Sequence, residues 1–163
     1  MRYSIFAQLM KILVRKAEST DVKDILLLIK ELALFEKAPE AVINTEEQLL
    51  EDGFGAHPEF QALVAVNSET KETVGMALFY NAYSTWKGKY LFLDDLVVSE
   101  KYRRNGVGEQ LIQAFLKEAK KQEVHFVKWQ VLHWNSPAIE FYKKLGVEFD
   151  EESEASSMEL DSS

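Results

Sequence analysis

The sequence contains no cysteine among its 163 residues. Disulfide bonds, a thiolate nucleophile and cysteine metal ligands are therefore excluded, and no acyl transfer by this chain can pass through a cysteinyl thioester. The three histidines, His57, His125 and His133, lack the i, i+4 spacing of a helical metal site. Each is expected to be structural or exposed, and no metal is predicted.

Long apolar runs are also missing, since nothing approaches the ~20 apolar residues that a membrane-spanning helix requires. The first ten residues, MRYSIFAQLM, resemble a signal peptide only faintly. Gln8 interrupts their apolar run, and Lys11 follows without a small-residue cleavage site. We therefore expect a cytoplasmic protein with no membrane partner, in which residues 1–10 form an N-terminal extension.

Basic residues are outnumbered, with 19 Lys and Arg against 27 Asp and Glu, for a formal net charge of −8. This balance argues against a nucleic-acid partner and favours a cationic substrate. A composition of 47% hydrophobic and 28% charged residues is typical of a soluble globular protein. The length fits one domain over residues 1–163, ending in an acidic segment at 150–163.

Hydrophobic periodicity predicts alternating strands and helices. The predicted strands are 11–15, 62–66, 73–80, 90–98 and 124–132. Predicted helices begin at Thr20 or Asp21, at a capping box spanning 45–48, directly after Gly108, and at Pro137. The second helix is expected to run through Leu50, with Gly53 in its exit turn. A strand, helix and strand in succession across 90–132 imply a parallel pair.

The segment 93–108, LDDLVVSEKYRRNGVG, joins a strand to the start of a helix. Unpaired N–H groups and the macrodipole make a helix start a phosphate site. Gly106 and Gly108 remove obstructing side chains, while Arg103 and Arg104 add positive charge. The pattern predicts a diphosphate site, with an ordinary tight turn as the alternative. A dinucleotide fingerprint would need glycine at Leu111, and the Gly-Lys-Ser/Thr of a P-loop is absent.

Arg103-x-x-Gly106-x-Gly108 behind a strand resembles the acetyl-CoA pyrophosphate loop of the GCN5-related N-acetyltransferase (GNAT) superfamily. Longer segments are similar to its spermidine/spermine and thialysine acetyltransferase group: LLEDGFGAHPEF (49–60), YSTWKGK (83–89) and HWNSPAIEFYKKLG (133–146). The resemblance implies acetyl-CoA as co-substrate, a homodimer and an α/β fold. That fold has a mixed, mostly antiparallel, twisted sheet with helices on both sides, splayed at one parallel strand pair. It would place a terminal strand near residues 150–163, whose acidic composition departs from the pattern.

The resemblance also implies a set of cofactor-binding residues: Leu96, Val97, Val98, Arg103, Arg104, Asn105, Gly106, Val107, Gly108, Glu109, Asn135, Ser136 and Lys144. Asn135 matches the asparagine that binds the pantetheine arm, and its alternative is a plain helix-start residue. Lys144 could reach the cofactor phosphates or belong to a solvated helix face.

Two catalytic residues are implied in the same way. Tyr142 matches the active-site tyrosine, and a phenol of pKa ~10 can protonate a leaving thiolate whose conjugate acid has a pKa of ~8.5. Asp94 stands where the group usually carries a glutamate. An alkylammonium acceptor of pKa ~10.4 must lose a proton, and the shorter side chain favours removal through a water. The alternatives are a half-buried helix aromatic and a solvated strand charge.

The resemblance finally implies an acceptor-binding set: Phe35, Glu36, Trp86, Asp94, Asp95, Lys128, Trp129 and Gln130. Glu36 resembles a residue that meets the distal cation of the substrate, and Trp86 offers a cation–π face. A surface glutamate and an exposed loop tryptophan are the alternatives, and Trp129 could equally be core. Asp95 alternates to the opposite strand face from Asp94.

The leading interpretation is an N-acetyltransferase that transfers acetyl directly to a small primary amine in a ternary complex. Similarity around 34–37 and 83–89, with Ser84 where polyamine enzymes tend to carry an acid, favours a thialysine-like or lysine-like amine or a short diamine over long polyamines. A protein or peptide acetyltransferase is one alternative. A non-catalytic acetyl-CoA binding module is another, favoured by Asp94 and the acidic tail and opposed by Tyr142.

Overall fold

The computed structural model describes residues 11–130, 140, 143–144, 148–149 and 155–159. In these residues the strands are β1 Ile12–Lys16, β2 Gln61–Asn67, β3 Thr73–Ser84, β4 Gly88–Val98, β5 Phe126–Gln130, β6 Glu148–Phe149 and β7 Ala155–Glu159. The α-helices are α1 Val22–Phe35, α2 Glu46–Phe54 and α3 Val107–Lys121. Short 3₁₀ turns span Ser19–Asp21, Pro39–Ala41 and Glu100–Tyr102.

The strands form a mixed sheet in the order β1-β2-β3-β4-β5-β7-β6. Strands β4 and β5, which flank α3 in the chain, run parallel with Tyr90 opposite Phe126 and Leu93 opposite Trp129. The pairs β1–β2, β5–β7 and β6–β7 are antiparallel. The predicted α/β fold with one strand–helix–strand parallel pair is thereby confirmed.

One local expectation was confirmed and another was wrong. The acidic segment does contain a strand of the expected kind, because β7 pairs with β5 along Ala155–Glu159. Helix α2 continues past Leu50 and takes in Gly53, where an added methyl group would overlap the Phe60 ring. Close packing of an aromatic ring, and not a turn, accounts for that glycine.

The predicted capping box at the start of α2 forms only in one direction. The Thr45 hydroxyl accepts from Gln48 N at 3.1 Å, as expected of an N-cap. The Gln48 side chain donates instead to Asp52 at 3.0 Å, and Thr45 N donates to the Asn44 side chain at 2.9 Å. An i, i+4 pair along the helix therefore takes the place of the reciprocal bond.

The described residues fall into two compact units, and β3, β4 and α3 each pass through both. The first unit takes in residues 11–78 and Asp95–Phe115. The 3.6-residue period of α1 places its apolar side chains against strands of this unit. The buried cluster consists of Val22, Ile25, Leu26, Leu28, Leu49, Ala62, Val64, Val66, Met76, Leu78 and Val97.

The entry into α1 is fixed by an ion pair. Asp21, only 6% exposed, accepts from Arg15 Nη1 at 2.8 Å and Nη2 at 3.0 Å, and from Glu18 N at 2.7 Å. Burial by itself would raise the pKa of Asp21, but the hydrogen bonds from Arg15 and Glu18 outweigh it and hold that pKa below its ordinary value. The carboxylate thus stays ionised and paired at neutral pH.

The second unit takes in Phe79–Asp94 and the described residues from 116 onward. Aromatic pairs join its strands: Tyr80 stacks on Phe92 with centroids 5.2 Å apart, and Tyr90 stacks on Phe126 at 4.5 Å. Such pairs contribute beyond their buried area. In neither unit does any described helix combine the length and apolarity needed to cross a membrane.

Candidate active site

The loop between β4 and α3 has the backbone that its glycine pattern predicts. Gly106 has a φ of 78°, in the left-handed region that favours glycine, and a methyl group added there would meet nothing within 4 Å. The first helical bond runs from Gln110 N to Gly106 O at 3.0 Å. The residue directly before the helix therefore leaves open space where a Cβ would stand, which is compatible with an anion site at the helix start.

Two neighbours of Gly106 shape this loop. Asn105 donates from its side-chain amide to Tyr102 O at 3.2 Å and to Arg103 O at 3.0 Å, so it holds the turn closed. Arg104 is exposed and has a φ of 65°, which is strained for a residue with a side chain. Its cation is available to an anionic ligand.

Arg103 is directed toward α1. Its Nε donates to Val98 O at 2.9 Å, its Nη2 lies 3.8 Å from a Glu31 carboxylate oxygen, and its guanidinium lies 5.4 Å from the Phe35 ring centroid. A residue predicted to bind cofactor is thus in contact with one predicted to bind acceptor. Its role toward the cofactor stays a prediction.

The 3₁₀ turn ahead of the loop is held by a carboxylate from the β2–β3 connection. Glu72 accepts from the Tyr102 hydroxyl at 2.8 Å and pairs with Lys101 Nζ at 3.0 Å. The hydrogen bond from Tyr102, followed by the one from Lys101, lowers the pKa of Glu72 below its ordinary value. The β2–β3 connection therefore holds this turn in place.

An open groove of about 570 Å³ adjoins the loop within the first unit. Ile12 and Val14 of β1 form its apolar side, and its lining includes Asn105, Gly106 and Glu109. All three belong to the predicted cofactor-binding residues, so part of that predicted set lines a groove.

Val97 and Val107, both predicted cofactor residues, are core residues at 3% and 1% exposure. Only their backbone groups remain to meet a ligand. The other predicted positions of this stretch are half-buried or exposed: Leu96, Val98, Gly108 and Glu109.

Asp94 in the second unit has a perturbed carboxyl group. The residue keeps an exposed side, yet the surrounding protein desolvates the carboxyl and raises the pKa of Asp94. Burial, the charge of Asp94 and then Tyr90 raise the pKa of Tyr80, which places Tyr80 electrostatically close to Asp94. A carboxyl group with a raised pKa beside a phenol suits proton transfer.

The strand register brings predicted acceptor residues beside Asp94. Lys128 lies opposite Phe92 and Trp129 opposite Leu93, one position before Asp94 on β4. Lys128 is half-buried, whereas Trp129 is 3% exposed and belongs to the core. The core alternative for Trp129 is thus the observed one.

Other predicted acceptor residues occupy varied positions. Trp86 lies in the β3–β4 connection and is 95% exposed. Phe35 ends α1 at 40% exposure and Glu36 follows it half-buried. Asp95 is half-buried and has the strand parity of buried Leu93, opposite to that of Asp94. Their roles stay predictions.

Several predicted site residues lie outside the described residues: Tyr142, Asn135 and Ser136, together with the side chain of Gln130. Lys144 is helical and exposed. Across the described ranges no group of His, Asp or Glu residues is arranged to hold a metal ion.

Sequence reasoning missed Glu31 and Tyr80. Glu31 lies four residues before Phe35, so the sequence could place both on one helix face, but not what that face meets. Tyr80 was assigned only to a strand. Its proximity to Asp94 depends on sheet pairing between separate strands, which periodicity does not give.

Comparison with known proteins converges on one family. Residues 28–147 match the sequence model of the acetyltransferase (GNAT) family. The chain is 38% identical over 147 residues to the thialysine N-epsilon-acetyltransferase of Mus musculus, covering 86% of each chain. It is 37% identical over 138 residues to the spermidine/spermine N(1)-acetyltransferase-like protein 1 of Homo sapiens, covering 82% of this chain and 20% of that protein.

A solved structure supports the same fold. The PaiA N-acetyltransferase of Thermoplasma acidophilum, crystallised with coenzyme A, superimposes with a TM-score of 0.76 at 19% identity. The superposition covers 93% of this chain and 100% of that one. At this identity the likeness concerns the fold alone.

Proposed function

The chain belongs to the GNAT family and is an N-acetyltransferase, and from that premise we propose that it transfers acetyl from acetyl-CoA to a primary amine of a small molecule. The acceptor in this proposal is a thialysine-like or lysine-like amine or a short diamine. Both reactants bind together, and the acetyl group passes directly between them. Proximity of two bound reactants is then a major source of rate.

The observation that carries the proposal is the loop at Arg103–Gly108. Its left-handed Gly106, directly before α3, has open space where a Cβ would stand, and the diphosphate of acetyl-CoA fits a helix start with backbone donors and a positive dipole. The exposed Arg104 cation adds attraction in a chain whose net charge is −8.

Each chemical role in the proposal belongs to a named residue. Asp94, through a water, removes a proton from the acceptor ammonium, and its raised pKa brings it nearer the working range of a base. Acetyl-CoA supplies the thioester whose C–S bond breaks as the N–C bond forms. Tyr142 donates its phenolic proton to the departing thiolate, and the second proton lost by the acceptor nitrogen returns through solvent to restore the phenol. The products are the acetamide and free coenzyme A.

The choice of a short acceptor rests on the β3–β4 connection. Ser84 stands where polyamine enzymes tend to carry an acid, and its hydroxyl accepts from Trp86 N at 3.3 Å and Lys87 N at 3.1 Å. Ser84 therefore caps the turn and supplies no negative charge for a second, distant cation. The thialysine acetyltransferase relatives agree with this preference.

Release of free thiol from acetyl-CoA, measured against thialysine, lysine, spermidine, short diamines and lysine-rich peptides, tests the proposal. We expect turnover with the short amines and, for Tyr142→Phe, a loss of about 10²-fold or more with coenzyme A affinity unchanged. Turnover only with peptides, or cofactor binding without turnover, would overturn it.

A further inference from the structure

Glu31 connects α1 to the segment that follows β4. One carboxylate oxygen accepts from Ser99 Oγ at 3.2 Å, and the other accepts from Glu100 N at 3.0 Å. The second oxygen also lies 3.8 Å from Arg103 Nη2. The Glu31 side chain is 30% exposed, so these contacts are partly shielded from water. A single carboxylate thus accepts two hydrogen bonds and forms one ion pair with three residues of one short segment.

This segment has outside partners throughout. Ser99 N donates to Val74 O at 2.8 Å, while Lys101 and Tyr102 contact Glu72 at 3.0 and 2.8 Å. Arg103 adds its bond to Val98 O at 2.9 Å. Glu31 supplies the contacts from the α1 side. We call these contacts of residues 99–103 the brace. The brace ends immediately before Arg104, where the open loop begins.

We infer that Glu31 is a positioning residue for coenzyme A binding. It does not touch the cofactor; it fixes the 3₁₀ turn and Arg103 so that Arg104–Gly108 keeps the arrangement that accepts the diphosphate. This inference rests on the proposed function. When a site must be arranged before binding, the observed dissociation constant rises as the arranged fraction falls.

If Glu31 opposed cofactor binding, removing its charge would change the coenzyme A affinity in the other direction. If Glu31 merely neutralised Arg103 and kept it from the anion, removal of the carboxylate charge would free a cation and tighten coenzyme A binding. Under the positioning role, the same change loosens the segment and weakens binding. One substitution therefore separates the two roles.

Glu31→Gln is the test, with Asp24→Asn as its matched control. Asp24 lies on the same helix and accepts a hydroxyl bond at 3.2 Å from Thr73, which stands between Glu72 and Val74. Both variants therefore lose one charge from α1, but Asp24 does not itself bond to residues 99–103. For Glu31→Gln we expect the coenzyme A dissociation constant and the KM for acetyl-CoA to rise about three- to tenfold, with kcat within about twofold. Asp24→Asn should match wild type in all of these.

Glu31→Asp, which keeps the charge on a shorter arm, should recover part of the affinity. Ser99→Ala removes one donor of the brace and provides a second variant, expected to weaken binding about twofold. The rate of hydrogen exchange at the Glu100 amide measures the stability of the brace independently of catalysis. This rate should rise in Glu31→Gln and stay at the wild-type value in the Asp24→Asn control.

The outcomes distinguish a failure of the proposed function from a failure of the role inferred for Glu31. Wild-type protein that fails to bind coenzyme A overturns the proposed function and this inference with it. Wild-type binding that is unchanged or tightened in Glu31→Gln, or weakened equally in Asp24→Asn, overturns the inference alone.

Discussion

Replacing Gly106 by alanine separates the backbone conformation of the loop from its ligand. At a φ of 78° the alanine is strained, which costs about 1–2 kcal/mol. The substitution also restricts the unfolded chain, which returns about 0.4–1 kcal/mol. No atom lies within 4 Å of the new methyl group, so no clash adds to the strain. A net loss of about 1 kcal/mol lowers the Tm by about 2–4 °C in a protein of this size.

Coenzyme A binding should suffer much more than stability. In the proposed complex the diphosphate reaches the first amides of α3 through the space that the methyl group enters, so we expect at least one hydrogen bond to the anion to be lost. Such a bond contributes about 1.5–3 kcal/mol, which corresponds to about 10- to 150-fold in the dissociation constant. Isothermal titration with coenzyme A measures this directly, alongside thermal unfolding without ligand.

Gly88→Ala is the matched control. Gly88 also has a positive φ, 92°, and a methyl group there would approach His125 Cδ2 to 2.9 Å. Strain and overlap together should lower the Tm more than in Gly106→Ala, while coenzyme A affinity stays unchanged. Wild-type affinity in Gly106→Ala despite a lowered Tm would refute the placement of the diphosphate on this loop.

Two further predictions concern carboxyl groups. Asp94→Asn should lower kcat by about 10²-fold without changing coenzyme A affinity. In the wild type, the raised pKa of Asp94 keeps the carboxyl protonated over a wider acid range, so the acid limb of kcat/KM should lie at higher pH than an ordinary aspartate gives. The same raised pKa means that the folded state loses stability as pH rises through it, so Asp94→Asn should unfold at a higher temperature at pH 7; an equal or lower Tm would contradict the desolvation of this carboxyl. Asp21→Asn should cost about 2–3 kcal/mol at pH 7, a value reduced from that of a fully buried pair because Arg15 is partly exposed. Since the folded pKa of Asp21 is lowered, its contribution is present above the unfolded pKa of ~3.9 and is lost as pH falls through the folded value; urea unfolding curves that fail to converge in acid would contradict this.

Local patterns in the sequence predicted much of the fold. The apolar period of α1, the strand alternation and the strand–helix–strand order around α3 all follow from contacts between near neighbours in the chain, and these predictions were confirmed. Glycine was less informative. Gly106 has the left-handed backbone of a turn, whereas Gly53 lies inside α2 because Phe60 packs on it. Only the tertiary neighbour distinguishes the two.

The site depended more heavily on long-range contacts. Arg103 was predicted as a cation for the diphosphate, but a sequence gives no direction for its side chain, which turns toward Glu31 and Phe35. The raised pKa of Asp94 likewise depends on what surrounds it after folding. Strand β7 was implied by the family resemblance and not by composition, because pairing with β5, and not the acidic residues of the segment, produces it.

The left-handed backbone of Arg104 bears on efforts to make this enzyme more resistant to heat. A search for stabilising substitutions would favour glycine at every strained position, and the described residues offer Arg104, Lys71, Glu123 and Lys37 with φ values of 65°, 66°, 60° and 62°. Glu123 follows the end of α3 and Lys71 lies in the turn between β2 and β3, where glycine removes strain alone. At Arg104 the same substitution removes a cation from the loop. Under the proposed function, the gain in thermal stability would therefore come with weaker binding of the acyl donor.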